Sequence, residues 1–303
     1  MRAVRLRLLG SAAGGGYPQW NCACARCQMC RLDPTRAKPR THCSLAFSGA
    51  GDEWYLIGAG PDIRHQIEAF SELHPGPGQR QTPIRGVLLA NAELDHTTGL
   101  LVLREGSTYD VYGTEAVLAA LSEAFPIRRI TRPYATIRWI ALSPGRTLSL
   151  EHGRLEVMAF ALSGKRPRYA ADYEIGGDWV VGYRIVDTET RGASVFAPSV
   201  DRWSAELAAA VTAADCAFLD GTFWSEDEMP VAGTGQVTAT AMGHMPIAGE
   251  QGSVGVLAAS QAGRKVYVHL NNTNPVLDEC GVEHGQLRSL GIEVAQDGME
   301  FVL

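Results

Sequence analysis

The order in which apolar β-like runs and helical patterns alternate constrains the fold more than any other feature of this 303-residue chain. The early strands follow one another at hairpin-like distances, whereas the later ones alternate with helices. We predict strands at residues 4–9, 44–47, 54–57, 86–89, 109–112, 155–160, 179–185, 194–197, 216–219 and 265–269. We predict helices at residues 61–70, 113–125, 204–213, 252–260 and 284–290. This order predicts an α/β protein in which two sheets pack face to face and helices cover the outside.

Composition and charge exclude several classes of protein. With 46% hydrophobic and 20% charged residues, the chain is an ordinary globular sequence, and without a linker we expect one domain over residues 1–303. A formal net charge of −6 argues against nucleic-acid binding, which needs a basic surface. No run reaches the roughly 18 apolar residues that span a bilayer. Because no apolar stretch follows Arg2, Arg5 and Arg7, we predict no signal peptide and a cytoplasmic location.

Four of the seven cysteines fall between residues 22 and 30. Without a secretion signal, such a cluster is more typical of a metal site than of disulfides. Zn²⁺ takes four tetrahedral ligands, and short spacings let one turn bring several thiolates to the ion. We therefore predict that Cys22, Cys24 and Cys27 bind a structural zinc ion, whose fourth ligand is either Cys30 or a distant residue.

Carboxylate and imidazole side chains follow three of the apolar strands. Strand ends are where α/β proteins place their sites, because a stiff scaffold there meets an irregular loop. Two carboxylates and two imidazoles could converge there on one divalent cation. These residues are Asp95 and His96 after residues 87–89, Asp220 after 216–219, and His269 after 266–268.

Five phrases of the sequence are distinctive: Leu9-Gly-Ser-Ala-Ala-Gly-Gly-Gly, Pro18-Gln-Trp-Asn-Cys-Ala-Cys, Asp95-His-Thr-Thr-Gly-Leu-Leu, Met242-Gly-His-Met-Pro and His269-Leu-Asn-Asn-Thr-Asn-Pro. Together they resemble the pyrroloquinoline quinone biosynthesis protein B family, which belongs to the metallo-β-lactamase superfamily. The resemblance runs the length of the chain. It implies an αββα sandwich, a structural zinc at the cysteine turn and a second metal site in the cleft.

The superfamily's hydrolases carry a His-x-His-x-Asp-His motif that loads two metal ions. Here Asn91 and Glu93 replace its first two histidines, so one of the two hydrolytic sites loses its main ligands. Asp95, His96, Asp220 and His269 remain and suit a single ion. Two imidazoles and a carboxylate with open positions are typical of non-haem Fe(II) oxygenases. The resemblance likewise implies an Fe(II)- and O₂-dependent hydroxylase, which acts on the tyrosine ring of a crosslinked Glu–Tyr diamino acid.

Several residues near these motifs have two interpretations. His244 is a candidate proton shuttle, because an unperturbed imidazole titrates near neutrality, or else a structural loop histidine. Glu93 either supports the metal ligands from behind or is a solvated side chain, and we interpret it as solvated. Asn271, Asn272 and Asn274 are interpreted as turn-forming amides, one of which could instead complete the cysteine site or orient the substrate.

Two other functions are compatible with the sequence. Residues 58–62 read Gly-Ala-Gly-Pro-Asp, where members of the family usually have Asn-Ala-Ser-Pro-Asp, so the exact substrate is open. A phosphodiesterase-like hydrolase could use a carboxylate-bound metal ion, and a non-catalytic carrier of the finished quinone would need only a pocket. The expected partners are a small amino-acid-derived substrate and O₂. Homodimer formation is left open.

Overall fold

The computed structural model describes residues 3–49, 51–105 and 108–303, and two seven-stranded sheets run through these residues. The strands are β1 (Arg5–Gly10), β2 (Ser44–Ser48), β3 (Trp54–Ile57), β4 (Ile84–Leu88), β5 (Thr108–Thr114), β6 (Thr136–Leu142), β7 (Thr147–Leu150), β8 (Leu155–Ser163), β9 (Val180–Asp187), β10 (Ala193–Ala197), β11 (Cys216–Asp220), β12 (Arg264–Val268), β13 (Ile292–Val294) and β14 (Glu300–Val302). The helices are α1 (Ala25–Leu32), α2 (Ile63–Glu68), α3 (Leu94–Thr97), α4 (Glu115–Ala120), α5 (Ile127–Thr131), α6 (Ala205–Thr212), α7 (Glu228–Ala232), α8 (Ser253–Ala259) and α9 (Val282–Ser289).

Each sheet is antiparallel at one end and parallel at the other. The first has the order β14-β1-β2-β3-β4-β5-β6, and the second has the order β13-β12-β11-β10-β9-β8-β7. All ten predicted strands are present, and the four strands that the sequence did not predict (β6, β7, β13 and β14) are the four sheet edges. Edge strands are partly exposed, so their sequences lack the apolar pattern on which strand prediction depends. The five predicted helices also form; four are shorter than predicted, and α9 begins two residues earlier and ends one residue earlier.

Apolar side chains alternate between two cores because successive residues of a strand point to opposite faces. The central core lies between the sheets, and its residues come from both, including Leu6, Phe47, Ile57, Val157, Tyr183 and Phe218. The outer core contains the alternate strand residues together with helix residues such as Ile63, Val117, Leu207 and Leu257. The predicted arrangement of facing sheets with helices outside is confirmed.

The parallel strands bring the predicted ligands to one edge of the sandwich. Asp220 is the last residue of β11, His269 directly follows β12, and α3, which carries Asp95 and His96, comes soon after β4. Within the described part of the chain, no helix has both the length and the apolar character that a bilayer-spanning segment needs.

A glycine turn holds α3 in place. The amide of Ala59 donates to the carbonyl of His96 at 2.8 Å, and the amide of Gly99 donates to the carbonyl of Ala59 at 2.8 Å. A Cβ added at Gly99 would lie 2.7 Å from the Ala59 oxygen and would also overlap the Gly60 oxygen. The backbone at Gly99 can therefore lie this close to Ala59 and Gly60 only because Gly99 has no side chain.

This close approach predicts that Gly99→Ala is destabilising. Because the clash is with backbone rather than with a movable side chain, the free energy of unfolding should fall by about 1–3 kcal/mol, measured by chemical denaturation. Gly164→Ala is the matched control, since a Cβ at Gly164 meets nothing within 4 Å. Equal stability of the two variants would contradict this packing.

Candidate metal centres

Three cysteine sulfurs converge at the start of α1. The Sγ atoms of Cys22, Cys24 and Cys27 lie within 4.8 Å of one another. The side-chain amide of Asn272 sits among them, with its Nδ2 at 3.3, 3.7 and 3.4 Å from the three sulfurs in that order. The two ends of an Asn amide are assigned rather than observed, so rotation would present Oδ1 at the same place. The arrangement favours Asn272 as the fourth ligand of a tetrahedral zinc ion.

Cys30 lies apart from this cluster. It is buried one turn further along α1 and is not among the cysteines whose sulfurs converge. Burial raises the pKa of its thiol, which also interacts with Tyr17 and Arg40. Of the two alternatives left open by the sequence, a distant residue therefore fits the geometry better than Cys30. The predicted cysteine turn is in part a helix, since Cys27 and Cys30 both lie on α1.

A second set of ligand atoms lines a cleft at one edge of the sandwich, where strands of both sheets end. Oδ2 of Asp95 lies 3.2 Å from Nε2 of His269 and 3.8 Å from Nε2 of His96. Among the described residues, buried Nε2 of His96 has no hydrogen-bond partner. A buried polar atom without a partner is costly, and a metal ion at this position would satisfy it. The three side chains therefore fit a metal site.

Burial and charge give Asp95 and His96 the protonation states that metal ligands need. Burial lowers the pKa of His96 to about 4, so the ring is neutral at pH 7. Burial alone would raise the pKa of Asp95, but His96 and His269 hold it well below its usual range. Asp95 is thus an anion beside the neutral ring of His96, whereas the carboxylates of Asp95 and Asp220 outweigh burial and raise the pKa of His269.

The four ligands predicted for one ion are divided between two clusters that share His269. Asp95, His96 and His269 form one, and Asp220, His244 and His269 form the other. Oδ2 of Asp220 accepts hydrogen bonds from the Val200 amide and from Nδ1 of His244, both at 2.7 Å. Its role as a direct metal ligand therefore stays a prediction.

Thr222 connects the two clusters. Its hydroxyl lies 2.8 Å from Nδ1 of His269 and donates to Oδ1 of Asp220 at 2.5 Å. A histidine that binds metal through one nitrogen commonly donates the other N–H to a fixed acceptor. Thr222 and Asp220 thus hold His269 with its Nε2 toward Asp95. Nothing in the sequence marked Thr222 for this role.

The backbone of His269 is in the left-handed region, with φ 58°. This conformation is rare for a non-glycine residue and costs on the order of 1–3 kcal/mol, so strain here points to function. It places the ring between two other imidazoles, 5.2 Å from His96 and 5.5 Å from His244, each measured between ring centroids.

The cleft beside these imidazoles has a volume of about 680 Å³. Glu93, interpreted from the sequence as solvated, is half-buried in its wall, and burial raises the pKa of its carboxyl group. His244, the candidate proton shuttle, also lies in the wall. Sequence reasoning missed a further group of lining residues, which includes Lys165, Arg166, Arg168 and Tyr169.

We predict that Cys24→Ser lowers both zinc content and stability, because structural zinc contributes folding free energy. Zinc should fall by about one ion per chain, measured by elemental analysis, together with the midpoint of thermal unfolding. Cys30→Ser should keep the zinc, as should Cys280→Ser at an exposed position. Loss of zinc from Cys30→Ser but not from Cys24→Ser would contradict the assignment.

We predict a pH-dependent stability effect from Glu228, which accepts hydrogen bonds from Thr273 at 2.6 Å and the Trp224 amide at 2.5 Å. Burial raises the pKa of Glu228 to about 7 from 4.5, so the folded protein holds a proton that the unfolded chain releases. Stability is therefore lost as the pH rises through this window. Relative to the parent, Glu228→Gln should gain about 2 kcal/mol in unfolding free energy between pH 5 and pH 8. The exposed control Glu123→Gln should show no such gain, and parallel profiles for all three proteins would refute the assignment.

Comparison with known proteins places this fold and these residues in a family. Residues 53–270 match the model of the beta-lactamase superfamily domain. A likeness to the structure of a diphosphatase from the PhnP family (TM-score 0.69, 18% identity, covering 99% of this chain and 98% of that one) agrees at the level of fold. The metallo-β-lactamase fold expected from the resemblance is thus confirmed.

Closer relatives match over nearly their whole length. Coenzyme PQQ synthesis protein B of Azotobacter vinelandii is 41% identical over 305 residues, covering 99% of this chain and 100% of the relative. The crystal structure of Zn²⁺-bound PqqB from Methylobacterium extorquens superposes with a TM-score of 0.90 at 39% identity, covering 99% of this chain and 100% of that one. This chain therefore belongs to the coenzyme PQQ synthesis protein B family of the β-lactamase superfamily.

Proposed function

We propose that this protein takes part in the synthesis of pyrroloquinoline quinone as a mononuclear non-haem iron hydroxylase. Its substrate is the tyrosine ring of a crosslinked Glu–Tyr diamino acid, and its oxidant is O₂. The name of its relatives, coenzyme PQQ synthesis protein B, supports the pathway. The observation that carries the chemistry is the cluster of Asp95, His96 and His269, in which Nε2 of His96 has no protein partner among the described residues.

One carboxylate and two imidazoles are the donor set of non-haem Fe(II) oxygenases. Asp95 supplies the negative charge, His96 supplies a neutral nitrogen, and Thr222 fixes the ring of His269. When bound, Fe(II) supplies the activation of O₂. The M. extorquens relative is described as Zn²⁺-bound, which supports metal binding by this family. We assign zinc to the cysteine centre, whose sulfur-rich donors suit it, and iron to the cleft.

His244 is suited to move the proton of the phenol. Its Nδ1 donates to Oδ2 of Asp220 at 2.7 Å, which fixes the ring and leaves Nε2 to accept a proton in the cleft. The carboxylate also stabilises the imidazolium that results. The ring of Phe223, 5.9 Å from that of His244 between centroids, packs against it and forms part of the apolar wall.

The hydrolase alternative lacks a second set of ligands at the position of the replaced histidines. Oδ1 of Asn91 accepts a hydrogen bond from the amide of Glu93 at 3.0 Å, so this side chain forms a turn rather than facing a second ion. A non-catalytic carrier would not need the buried imidazole of His96, which has no partner among the described residues and lies beside Asp95.

Insertion of one oxygen atom of O₂ into the ring reduces the other atom to water, and so consumes two electrons and two protons for each hydroxylation. Anaerobic loading with Fe(II), followed by the Glu–Tyr diamino acid, O₂ and a two-electron reductant such as ascorbate, tests the proposal. We predict a mass gain of one or more oxygen atoms in the diamino acid, measured by mass spectrometry. Asp95→Ala removes a metal ligand, so it should lower the rate at least about 100-fold while leaving the fold and the cysteine-bound zinc intact. The exposed control Glu123→Ala should retain the parent rate.

Two outcomes would contradict the proposed function. Hydrolysis of a cyclic phosphodiester with Mn²⁺, without oxygen incorporation, would favour the hydrolase. Binding of the finished quinone without either reaction would favour the carrier.

A further inference from the structure

A short basic segment lines one wall of the metal cleft. Lys165, Arg166 and Arg168, which we call the basic arm, follow β8 and lead into a 3₁₀ turn at Arg168–Ala170. All three side chains are exposed and line the cleft that also contains His96, His244 and His269. The metal cleft thus has three cations at its solvent-accessible side.

None of these three cations forms an ion pair with the described residues. Across residues 3–49, 51–105 and 108–303, no carboxylate oxygen lies within 4.0 Å of the charged groups of Lys165, Arg166 or Arg168. Arg166 donates one N–H to the carbonyl of Tyr173 at 2.9 Å and lies 5.8 Å from the centroid of the Trp179 ring. It is therefore held in place while most of its donors stay available.

Lys165 lies close to the metal ligands. Its side chain packs on Gly243, the residue before His244, where an added Cβ would lie 3.1 Å from Nζ. Desolvation lowers the pKa of the Lys165 ammonium, and the carboxylates of Glu93 and Asp220 act in the opposite direction. Its charge is thus felt by the groups around the metal centre.

The residues that line the cleft include more cations than carboxylates, although the chain as a whole is acidic. The protein carries a formal net charge of −6, yet the cleft lining holds the three cations of the basic arm against only two carboxylates, Glu93 and Asp95. The buried carboxylate of Asp220 behind His244 balances the third cation, so a divalent ion would make the cleft positive. Such a field concentrates anionic ligands. Tyr169 and Phe223, which also line the cleft, offer surface for an aromatic ring.

We propose that the basic arm binds the carboxylates of the substrate, and so selects an aromatic amino-acid derivative that carries two or more of them. This inference rests on the proposed function, because the ring to be oxidised must reach the ligands Asp95, His96 and His269. Arg166 and Arg168 can each bind a carboxylate through two parallel N–H groups, whereas Lys165 offers a point charge nearer the metal.

Calorimetric titration with benzene-1,3,5-tricarboxylate tests the basic arm. The parent should bind this probe at least about tenfold more tightly than benzoate, because only the tricarboxylate can engage several cations. Lys165→Gln and Arg168→Gln should each weaken binding about 3- to 10-fold, and more when combined. Arg132→Gln is the matched control, an exposed arginine outside the cleft lining, and should bind as the parent does.

The same titration on the Asp95→Ala variant separates probe binding by the basic arm from probe binding by a metal ion. The probe should still bind there, and its affinity should still fall when Lys165 and Arg168 are replaced. Equal affinity of the parent and the Lys165→Gln/Arg168→Gln variant would overturn the proposal. So would a tricarboxylate affinity no greater than that for benzoate.

Steady-state kinetics of hydroxylation test substrate binding by the basic arm separately from the proposed reaction. The double variant should raise KM for the Glu–Tyr diamino acid about tenfold and leave kcat within about twofold, since the arm binds substrate and transition state alike. Oxygen incorporation with an unchanged KM would show that the basic arm does not bind the substrate, while the proposed hydroxylation would stand. Probe binding that depends on the basic arm, without oxygen incorporation, would contradict the proposed hydroxylation, while carboxylate binding by the arm would stand.

Discussion

The loop that follows β12 connects both candidate metal centres, and the geometry of the cleft cluster depends on how this loop is held. His269 opens the loop and faces the cleft, while Asn272 reaches the three cysteine sulfurs. Asn274 donates to the carbonyl of Gly221 at 2.8 Å, which ties the loop to the end of β11. A zinc ion at the cysteines would thus anchor the loop that places a cleft ligand. The cysteine cluster therefore helps to position the cluster in the cleft.

Hydrogen bonds then fix the orientation of the cleft imidazoles. The chain from Asp220 through Thr222 to His269 turns Nε2 of His269 toward Asp95, and a second bond from Asp220 holds His244. One buried carboxylate thereby orients the rings of both His269 and His244. This arrangement explains why the two clusters share His269.

The sequence predicted the elements whose patterns are local, but not the contacts that form when distant loops meet. Buried strands were recognised from their apolar runs, and Asp95, His96, Asp220 and His269 from their position at strand ends. Edge strands such as β6 were not predicted, because they are only partly buried and their sequences need not be apolar. The place of Asn272 among the sulfurs and the left-handed backbone of His269 depend on tertiary packing, and neither leaves a pattern in one sequence. The residues of the basic arm looked like ordinary surface charges for the same reason.

The central claim is that the cleft holds one redox-active ion apart from the zinc at the cysteines. Anomalous scattering from crystals of anaerobically prepared, Fe(II)-loaded protein, recorded on both sides of the iron and zinc absorption edges, measures this directly. The account predicts a single iron peak between Asp95, His96 and His269, and a separate zinc peak at Cys22, Cys24 and Cys27. Two ions within the cleft of active protein, or zinc alone in the cleft at full activity, would contradict it.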